Sequence, residues 1–225
     1  MLTVIIKRTD EPKVIQLTQE NIMRELGQFQ GAEMLLEDRW QEGLKKVRTM
    51  YVCLVEADCT LSASYLSSNC RLLHKSLGAN GEGGNISLAM MSSCLGIDRF
   101  DNRIYHYHME PHTDEGKSVS ITTWQPTPFK KKTHTAPYQA QIGFVPGAII
   151  RYTSIKDIID TFDWDDDNLV RMSTKLSFHM WNTNRTLKVN PNTTYVSTQK
   201  YLGNPPDVKV NVPHRVDNLF QRHGL

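Results

Sequence analysis

Histidines and carboxylates are concentrated in segment 105–116, YHYHMEPHTDEG, where they could bind a metal ion. His106 and His108 are two residues apart, so on a β-strand their imidazoles would point to the same face of the sheet. His112 and Asp114 form an H-x-D pair directly beyond them. Two histidines and one carboxylate on one side of a metal are the ligands of non-haem iron sites. The segment therefore indicates either an iron site or a polar strand end, where His106 and His108 would titrate near neutral pH.

The surrounding sequence resembles the iron and 2-oxoglutarate-dependent oxygenases, which fold as a double-stranded β-helix. PHTDEGKSVSITTW resembles their H-x-D motif entering a strand, VPGAII at 145–150 resembles their Pro-Gly strand start, and HRV at 214–216 resembles their distal histidine. The resemblance implies 2-oxoglutarate as co-substrate, Arg222 as the residue that holds its carboxylate, and Fe(II) bound by His112, Asp114 and His214. An oxygenase is thus one of two functional hypotheses.

Composition argues against several classes of protein. The 225 residues include 26 basic and 24 acidic side chains, a net charge of +2, far from the strongly basic surface of a dedicated nucleic-acid binder. No apolar stretch approaches the roughly 20 residues of a transmembrane helix, and the first residues do not resemble a secretory signal. The four cysteines form no C-x-x-C pair, which favours buried free thiols in a reducing compartment. We expect an intracellular protein that is not secreted.

Local charge is more uneven than the total. A basic run lies between two prolines near residue 130, and the segment 213–225 is a basic tail around one apolar pair. Such exposed cations favour contact with nucleic acid or an anionic membrane surface. The residues predicted to make these contacts are Lys130, Lys131, Lys132, Arg215 and Arg222. An acidic run lacks the spacing of a calcium loop and predicts an exposed turn formed by Asp163, Asp165, Asp166 and Asp167.

The elements expected to position these residues begin with an α/β extension over 1–48. LTVIIK and KVIQL, separated by TDEP, predict a β-hairpin over residues 1–17. Thr18 is a suitable N-cap for a helix that ends at Gly27, and helical spacing of apolar residues predicts a second helix over about 32–47.

A β-rich core domain is predicted over 49–212. It begins with a strand over about 49–61 and two short helices, NCRLLHKSL and ISLAMMSSCL. Mostly β-patterns follow, with only IKDIIDTF helical in spacing and with NLVRMSTKLSFHMW as a long central strand. Because these strands leave no room for crossover helices, the pattern predicts an α+β fold that is mainly antiparallel, a sandwich or jelly-roll-like domain.

This pattern of predicted strands, which includes YVCLV and NLVRMSTKLSFHMW, resembles the small structural proteins of RNA viruses, of the capsid, matrix or movement class. The resemblance implies a non-enzymatic assembly protein that forms homo-oligomers and contacts nucleic acid or membrane. It also implies a location in the cytoplasm of a host cell or in a virion. On this leading hypothesis no cofactor is needed, whereas the alternative oxygenase requires Fe(II) and 2-oxoglutarate.

Overall fold

The computed structural model describes residues 1–76, 88–96, 104–106, 111–114, 118–121, 127–128, 136–139, 143–196 and 208–210. Within these ranges ten strands form one large sheet, and three short strands form a second sheet. The large sheet is mixed, because it contains parallel as well as antiparallel neighbours. None of the helices in these ranges is long and apolar enough to cross a membrane.

Strands and helices alternate in the first part of the chain. Three strands lie side by side and run parallel, with β1 (Leu2–Lys7) between β2 (Glu33–Glu37) and β3 (Tyr51–Glu56). They are connected by α1 (Pro12–Leu26) and α2 (Trp40–Lys46), since parallel strands require crossover connections. Every residue of β3 is buried, as expected for a strand covered on both faces.

The rest of the sheet contains strands of both directions. Its strands and those of the small sheet are β4 (Thr60–Leu61), β5 (Leu88–Gly96), β6 (Ile104–His106), β7 (Pro111–Asp114), β8 (Ser118–Ile121), β9 (Thr127–Pro128), β10 (Tyr138–Gln139), β11 (Ile149–Arg151), β12 (Thr186–Val196) and β13 (Val208–Val210). The main order is β10-β12-β5-β11-β3-β1-β2, with β4 on β12 and with β6 and β9 beyond β5. Strand β12 is parallel to β5, whereas β11 is antiparallel to both β3 and β5.

Two further helices complete the described layers. Helix α3 (Tyr65–Lys75) packs against β5, β11 and β12, which places its buried residues over the centre of the sheet. Helix α4 (Leu169–Asn182) precedes β12, and the amide of Arg171 donates to the side chain of its N-cap Asn168 at 3.0 Å. The segment IKDIIDTF, predicted as a helix, contains only a short 3₁₀ turn over 156–158, and a second such turn over 152–154 lies just before it.

The predicted N-terminal hairpin is wrong, because its second strand is part of α1. Pro12 stands in the first turn, where its missing N–H costs nothing and its fixed φ favours a helix. Thr18, Ile22 and Leu26 then recur at helical spacing and form the buried face. The five residues of KVIQL are too few to distinguish the periodicity of a strand from that of a helix. The buried residues farther along α1 show the helical periodicity.

In two other segments the predicted strand is a helix and the predicted helix is a strand. The segment LVRMSTKLSFHMW is α4 rather than a central strand, with Met172, Leu176 and Met180 on its buried face. The segment LAMMSSCLG is β5 rather than a helix, lying between β11 and β12. Most of the described side chains of both segments are buried, and packing between other elements determined their structure rather than their own pattern.

The predicted fold class is therefore wrong. Parallel pairing of β1 with β2, of β1 with β3, and of β5 with β12 does not occur in an antiparallel sandwich or jelly roll. Residues 1–48, predicted as an appendage, supply β1 and β2 to the same sheet as β3. The chain forms a mixed α/β sheet covered by helices.

Candidate active site

A crevice opens where the connections of two neighbouring parallel strands diverge. The chain leaves β1 toward β2 and leaves β3 toward the opposite half of the sheet. Open α/β sheets bind ligands outside the carboxyl ends of strands at such a point. A cleft of about 990 Å³ lies there. Its walls come from residues 7–11 after β1, one face of α1, residues 56–60 after β3, and residues 166–169 before α4.

Two carboxylates stand at the carboxyl end of β3. Glu56 is the last residue of the strand and Asp58 follows after Ala57, and both line the cleft. Glu56 is only 9% exposed, and its side chain accepts a hydrogen bond from the hydroxyl of Tyr195 at 3.3 Å. The same hydroxyl accepts from the backbone amide of Glu56, also at 3.3 Å. Tyr195 therefore fixes both the backbone and the side chain of the first carboxylate.

Helix α1 holds the turn after β3 from the other side. The hydroxyl of Thr18, 3% exposed, donates to the carbonyl of Ala57. The side-chain oxygen of Asn21 accepts from the amide of Leu61 at 3.3 Å. Glu25 accepts from the amides of the first turn of α3, at 2.9 Å from Tyr65 and 2.7 Å from Leu66. The polar face of α1 thus attaches the carboxylate turn and the following helix to the sheet.

Lys7 marks the wall of the cleft at the end of β1. Its ammonium lies 3.3 Å from Asp165 and 5.3 Å from the centre of the Trp40 ring. Asp165 also accepts from the amide of Trp40 at 3.0 Å and lies 3.4 Å from the guanidinium of Arg39. These contacts tie the loop before α4 to the end of β1.

Asp166 belongs to the same loop and lines the cleft. Its side chain is 1% exposed and pairs with Arg171 and Lys175 on α4. Burial by itself would raise the pKa of Asp166, but the hydrogen bonds from Arg171 and from the amide of Asn168, with the charges of Arg171 and Lys175, outweigh it and lower the pKa. The prediction of an exposed acidic turn is thus partly wrong, since Asp165 and Asp166 are largely buried and paired.

Three buried cysteines, Cys53, Cys59 and Cys70, are free thiols, as the sequence indicated. Burial raises the pKa of Cys59, and the charges of Glu56 and Asp58 act in the same direction, against a hydrogen bond with Tyr195. Cys59 lines the cleft but stays protonated near neutral pH, so it is no candidate nucleophile.

The cleft is acidic, and its donor atoms suit a hard divalent cation. Its cationic lining is Lys7, Arg8 and Arg24. Its acidic lining is Asp10, Glu11, Glu20, Glu56, Asp58, Asp166 and Asp167. Among the side chains that the structure describes, no group of three or more His, Cys, Asp or Glu residues encloses a metal site. Mg²⁺-like ions bind through one or two carboxylates plus the phosphates of a ligand, and Glu56 and Asp58 fit that mode.

Only some of the site residues predicted from the sequence lie in the part of the chain that the structure describes. His106 lies in β6 of the large sheet, whereas His112 and Asp114 lie in β7 of the small sheet. The other predicted metal, pH-sensitive and contact residues lie outside the described part of the chain: His108, Lys130, Lys131, Lys132, His214, Arg215 and Arg222. The predicted pH-sensitive role, the nucleic-acid or membrane contacts and the homo-oligomer stay predictions.

Sequence reasoning missed Glu56 and Asp58, although a signal was present. Two carboxylates spaced by one residue follow the fully apolar stretch YVCLV directly, at the end of a buried strand. Carboxylates at the end of a buried parallel strand are a typical position for metal and phosphate chemistry. The strand was instead extended to residue 61, which placed both carboxylates inside it.

Comparison with known proteins gives a fold but no family. No known family matches the sequence, and no curated protein matches it significantly. A crystal structure of GalNAc-T7 with UDP, GalNAc and Mn²⁺ aligns with a TM-score of 0.54 at 10% identity, over 87% of this chain and 43% of that chain. The mixed sheet therefore has a Rossmann-like α/β fold, which it shares with the GalNAc-T7 structure. This chain spans less than half the length of the GalNAc-T7 chain.

Two other solved structures align less well. S. aureus TarS in complex with UDP-GlcNAc aligns with a TM-score of 0.47 at 10% identity, over 90% of this chain and 60% of that chain. A197 from STIV aligns with a TM-score of 0.48 at 5% identity, over 86% of this chain and 83% of that chain. The conclusion on the fold depends on the GalNAc-T7 alignment.

The fold overturns both functional hypotheses. The capsid, matrix or movement protein was inferred from a β-sandwich, and the oxygenase from a double-stranded β-helix, whereas the sheet is that of a Rossmann-like α/β protein. The expectation of no cofactor belonged to the assembly hypothesis and falls with it, and the aligned GalNAc-T7 structure contains UDP and Mn²⁺. Fe(II) with 2-oxoglutarate loses its basis together with the β-helix.

Proposed function

We propose that this chain binds a nucleoside-diphosphate sugar together with a divalent cation in the cleft, and that it transfers the sugar to an acceptor hydroxyl. The observation that carries the proposal is the Glu56-Ala57-Asp58 turn at the carboxyl end of β3, inside the cleft. The fold shared with GalNAc-T7, whose structure holds UDP and Mn²⁺, supports the choice of ligand.

Electrostatics supports a cation. A diphosphate brings negative charge into a cleft whose acidic side chains outnumber its basic ones, so its binding without a counter-ion would be repulsive. The oxygen donors of Glu56 and Asp58 suit Mg²⁺ or Mn²⁺, because these ions prefer carboxylates and phosphates. A bound cation would stabilise the negative charge that develops on the leaving diphosphate.

The residues of this chain would bind and orient the donor. Lys7 and Arg8, at the end of β1, line the same cleft as Asp58 and would supply positive charge for the phosphates. In the reaction the bond from the anomeric carbon to the diphosphate breaks, and a bond from that carbon to the acceptor oxygen forms. The hydroxyl proton leaves to a base, and the products are the glycosylated acceptor and the nucleoside diphosphate.

Calorimetric titration tests the proposal with UDP, GDP and ADP, each with and without Mn²⁺. We expect at least one nucleotide to bind, with affinity that depends on Mn²⁺. Asp58→Asn should weaken that binding by about tenfold or more, because it removes one charged oxygen donor from the cation. Asp160→Asn is the matched control, since Asp160 is exposed and pairs at the surface with Lys45 at 2.8 Å.

Three results would contradict the proposal. The first is no binding of any of the three nucleotides in the presence of Mn²⁺. The second is binding of equal strength with and without Mn²⁺. The third is an affinity that Asp58→Asn and Asp160→Asn change equally.

A further inference from the structure

We infer that Tyr195 is a positioning residue for the cation site, acting through Glu56. This inference rests on the proposed function and deepens it. The hydroxyl of Tyr195 donates to the Glu56 carboxylate and accepts from the Glu56 amide, both at 3.3 Å. Hydrogen bonds from a second layer of residues orient the carboxylates that ligate metals and tune their affinity.

Tyr195 is held so that its hydroxyl has little freedom to turn away. The side chain is 1% exposed, and its ring packs edge-on against Phe144 with centroids 6.0 Å apart. Gly147 adopts a φ of +77°, and a Cβ there would lie 2.4 Å from the Tyr195 ring. The ring therefore lies directly on the backbone of residue 147, and its hydroxyl extends toward the end of β3.

The position of Tyr195 in the chain makes its role specific. Tyr195 lies near the end of β12, 139 residues beyond Glu56, and β12 is not a neighbour of β3 in the sheet. No backbone pairing brings the two residues together, so the contact depends on the tyrosine side chain. A phenylalanine at this position would keep the packing and lose the bond to the carboxylate.

Tyr65 offers a matched control within the same part of the core. Its side chain is 0% exposed and its hydroxyl lies 2.5 Å from the Cβ that a side chain at Gly147 would have. That hydroxyl donates its proton to the carbonyl of Gly147 at 2.8 Å rather than to Glu56. Tyr65→Phe and Tyr195→Phe thus remove the same atom from two equally buried rings, and one of the two atoms donates to the cleft carboxylate.

The test measures Mn²⁺ binding, by electron paramagnetic resonance of free Mn²⁺ at saturating nucleotide. The temperature is about 10 °C, near the maximum stability of most domains, so that a weakened variant stays folded. We expect Tyr195→Phe to weaken Mn²⁺ binding about tenfold and Tyr65→Phe to leave it within about twofold. In a Glu56→Ala background, Tyr195→Phe should have no further effect, because the residue through which it acts is gone.

The Mn²⁺ affinities of the variants distinguish the positioning role of Tyr195 from a packing effect. Unchanged Mn²⁺ affinity in Tyr195→Phe, with clear binding by the wild type, overturns the inference and leaves the proposed function standing. Equal weakening in Tyr195→Phe and Tyr65→Phe, or equal weakening by Tyr195→Phe with and without Glu56, shows a packing effect and overturns it too. A wild-type protein that binds no Mn²⁺ with nucleotide overturns the proposed function itself.

Discussion

Strand β12 contributes to two buried polar clusters that differ in kind. In the core cluster, Asn190 and Thr193 of β12 meet Asn69 of α3 and Ser93 of β5. In the cleft cluster, Tyr195 meets Glu56, beside Asp58. The core cluster consists of neutral groups that bond one another at 2.7–3.2 Å, whereas the cleft cluster contains carboxylates that face a cavity.

The difference separates stability from ligand binding. Neutral groups that satisfy one another in the core cost little when all are paired and much when one is removed. Carboxylates that line a cleft retain negative potential for a ligand, and their repulsion lowers stability. We therefore expect substitutions in the core cluster to change unfolding and substitutions in the cleft cluster to change binding.

The largest expected effect on stability is that of Asn69→Leu. The change leaves Ser93, Asn190 and Thr193 without their common partner in a site closed to water. We expect a loss of about 3 kcal/mol in the free energy of unfolding, measured in urea, with nucleotide affinity unchanged in the folded protein. Asn182→Leu, at the exposed end of α4, is the control. A loss below about 1 kcal/mol would show that the core cluster is not a stabilising unit.

Asp166→Asn should have the next largest effect, and one that depends on pH. The pKa of Asp166 is lowered in the folded protein, so its contribution to stability is full above about pH 5. It is lost as the pH falls below the unfolded value of about 3.9 toward the folded pKa. Near pH 7 we expect the variant to lose about 2 kcal/mol, measured by urea unfolding, because hydrogen bonds to charged groups are among the stronger ones.

The difference between wild type and Asp166→Asn should shrink on acidification. Asp160→Asn again serves as the control, because its ion pair with Lys45 lies at the surface and contributes little. A difference that stays constant from pH 7 to acid would contradict ionisation of Asp166 as the source.

Glu25→Gln should have a smaller effect, of about 1 kcal/mol in the free energy of unfolding. The amide keeps one oxygen acceptor for the α3 amides of Tyr65 and Leu66 but loses the charge that favours the helix N-terminus. Glu20→Gln, on the exposed part of α1, is the matched change. Equal stability of Glu25→Gln and the wild type would show that α3 does not need this cap.

The smallest expected effect concerns the buried thiols of Cys53, Cys59 and Cys70, which should react slowly in the folded protein. Burial raises the pKa of Cys70 to about 12 and that of Cys53 well above its usual value. In a Cys94→Ser variant at pH 8, a disulfide reagent should label the remaining thiols only after urea is added. Rapid labelling of Cys59 in the native protein would show that the cleft opens further than the structure indicates.

Part of the fold was predictable from the sequence. The apolar runs of β1, β3 and β11 were recognised as strands, and most of α3 as a helix in NCRLLHKSL. Where periodicity was ambiguous, prediction failed. Segments such as LAMMSSCLG are apolar in both the strand and the helix period, and only neighbours distant in the chain determine their structure.

The candidate site was less predictable, because it is assembled from separate segments. Motifs in a sequence are visible only when their residues are close together, as His112 and Asp114 are. The cleft instead combines Lys7, Glu56 and Asp166 from three distant segments. The turn after β3 was visible as two carboxylates behind an apolar run, whereas the contact of Tyr195 with Glu56 required the folded topology.

Gly147 gives a single residue control over the geometry of the cleft. Its bare α-carbon allows the rings of Tyr65 and Tyr195 to rest on the backbone, and even a methyl group would have to displace both. Because the Tyr195 hydroxyl touches Glu56, that displacement would be transmitted to a carboxylate that residue 147 does not itself contact. The absence of a side chain at Gly147 thus determines how far the Tyr195 hydroxyl extends, and a substitution at residue 147 would alter the position of the Glu56 carboxylate.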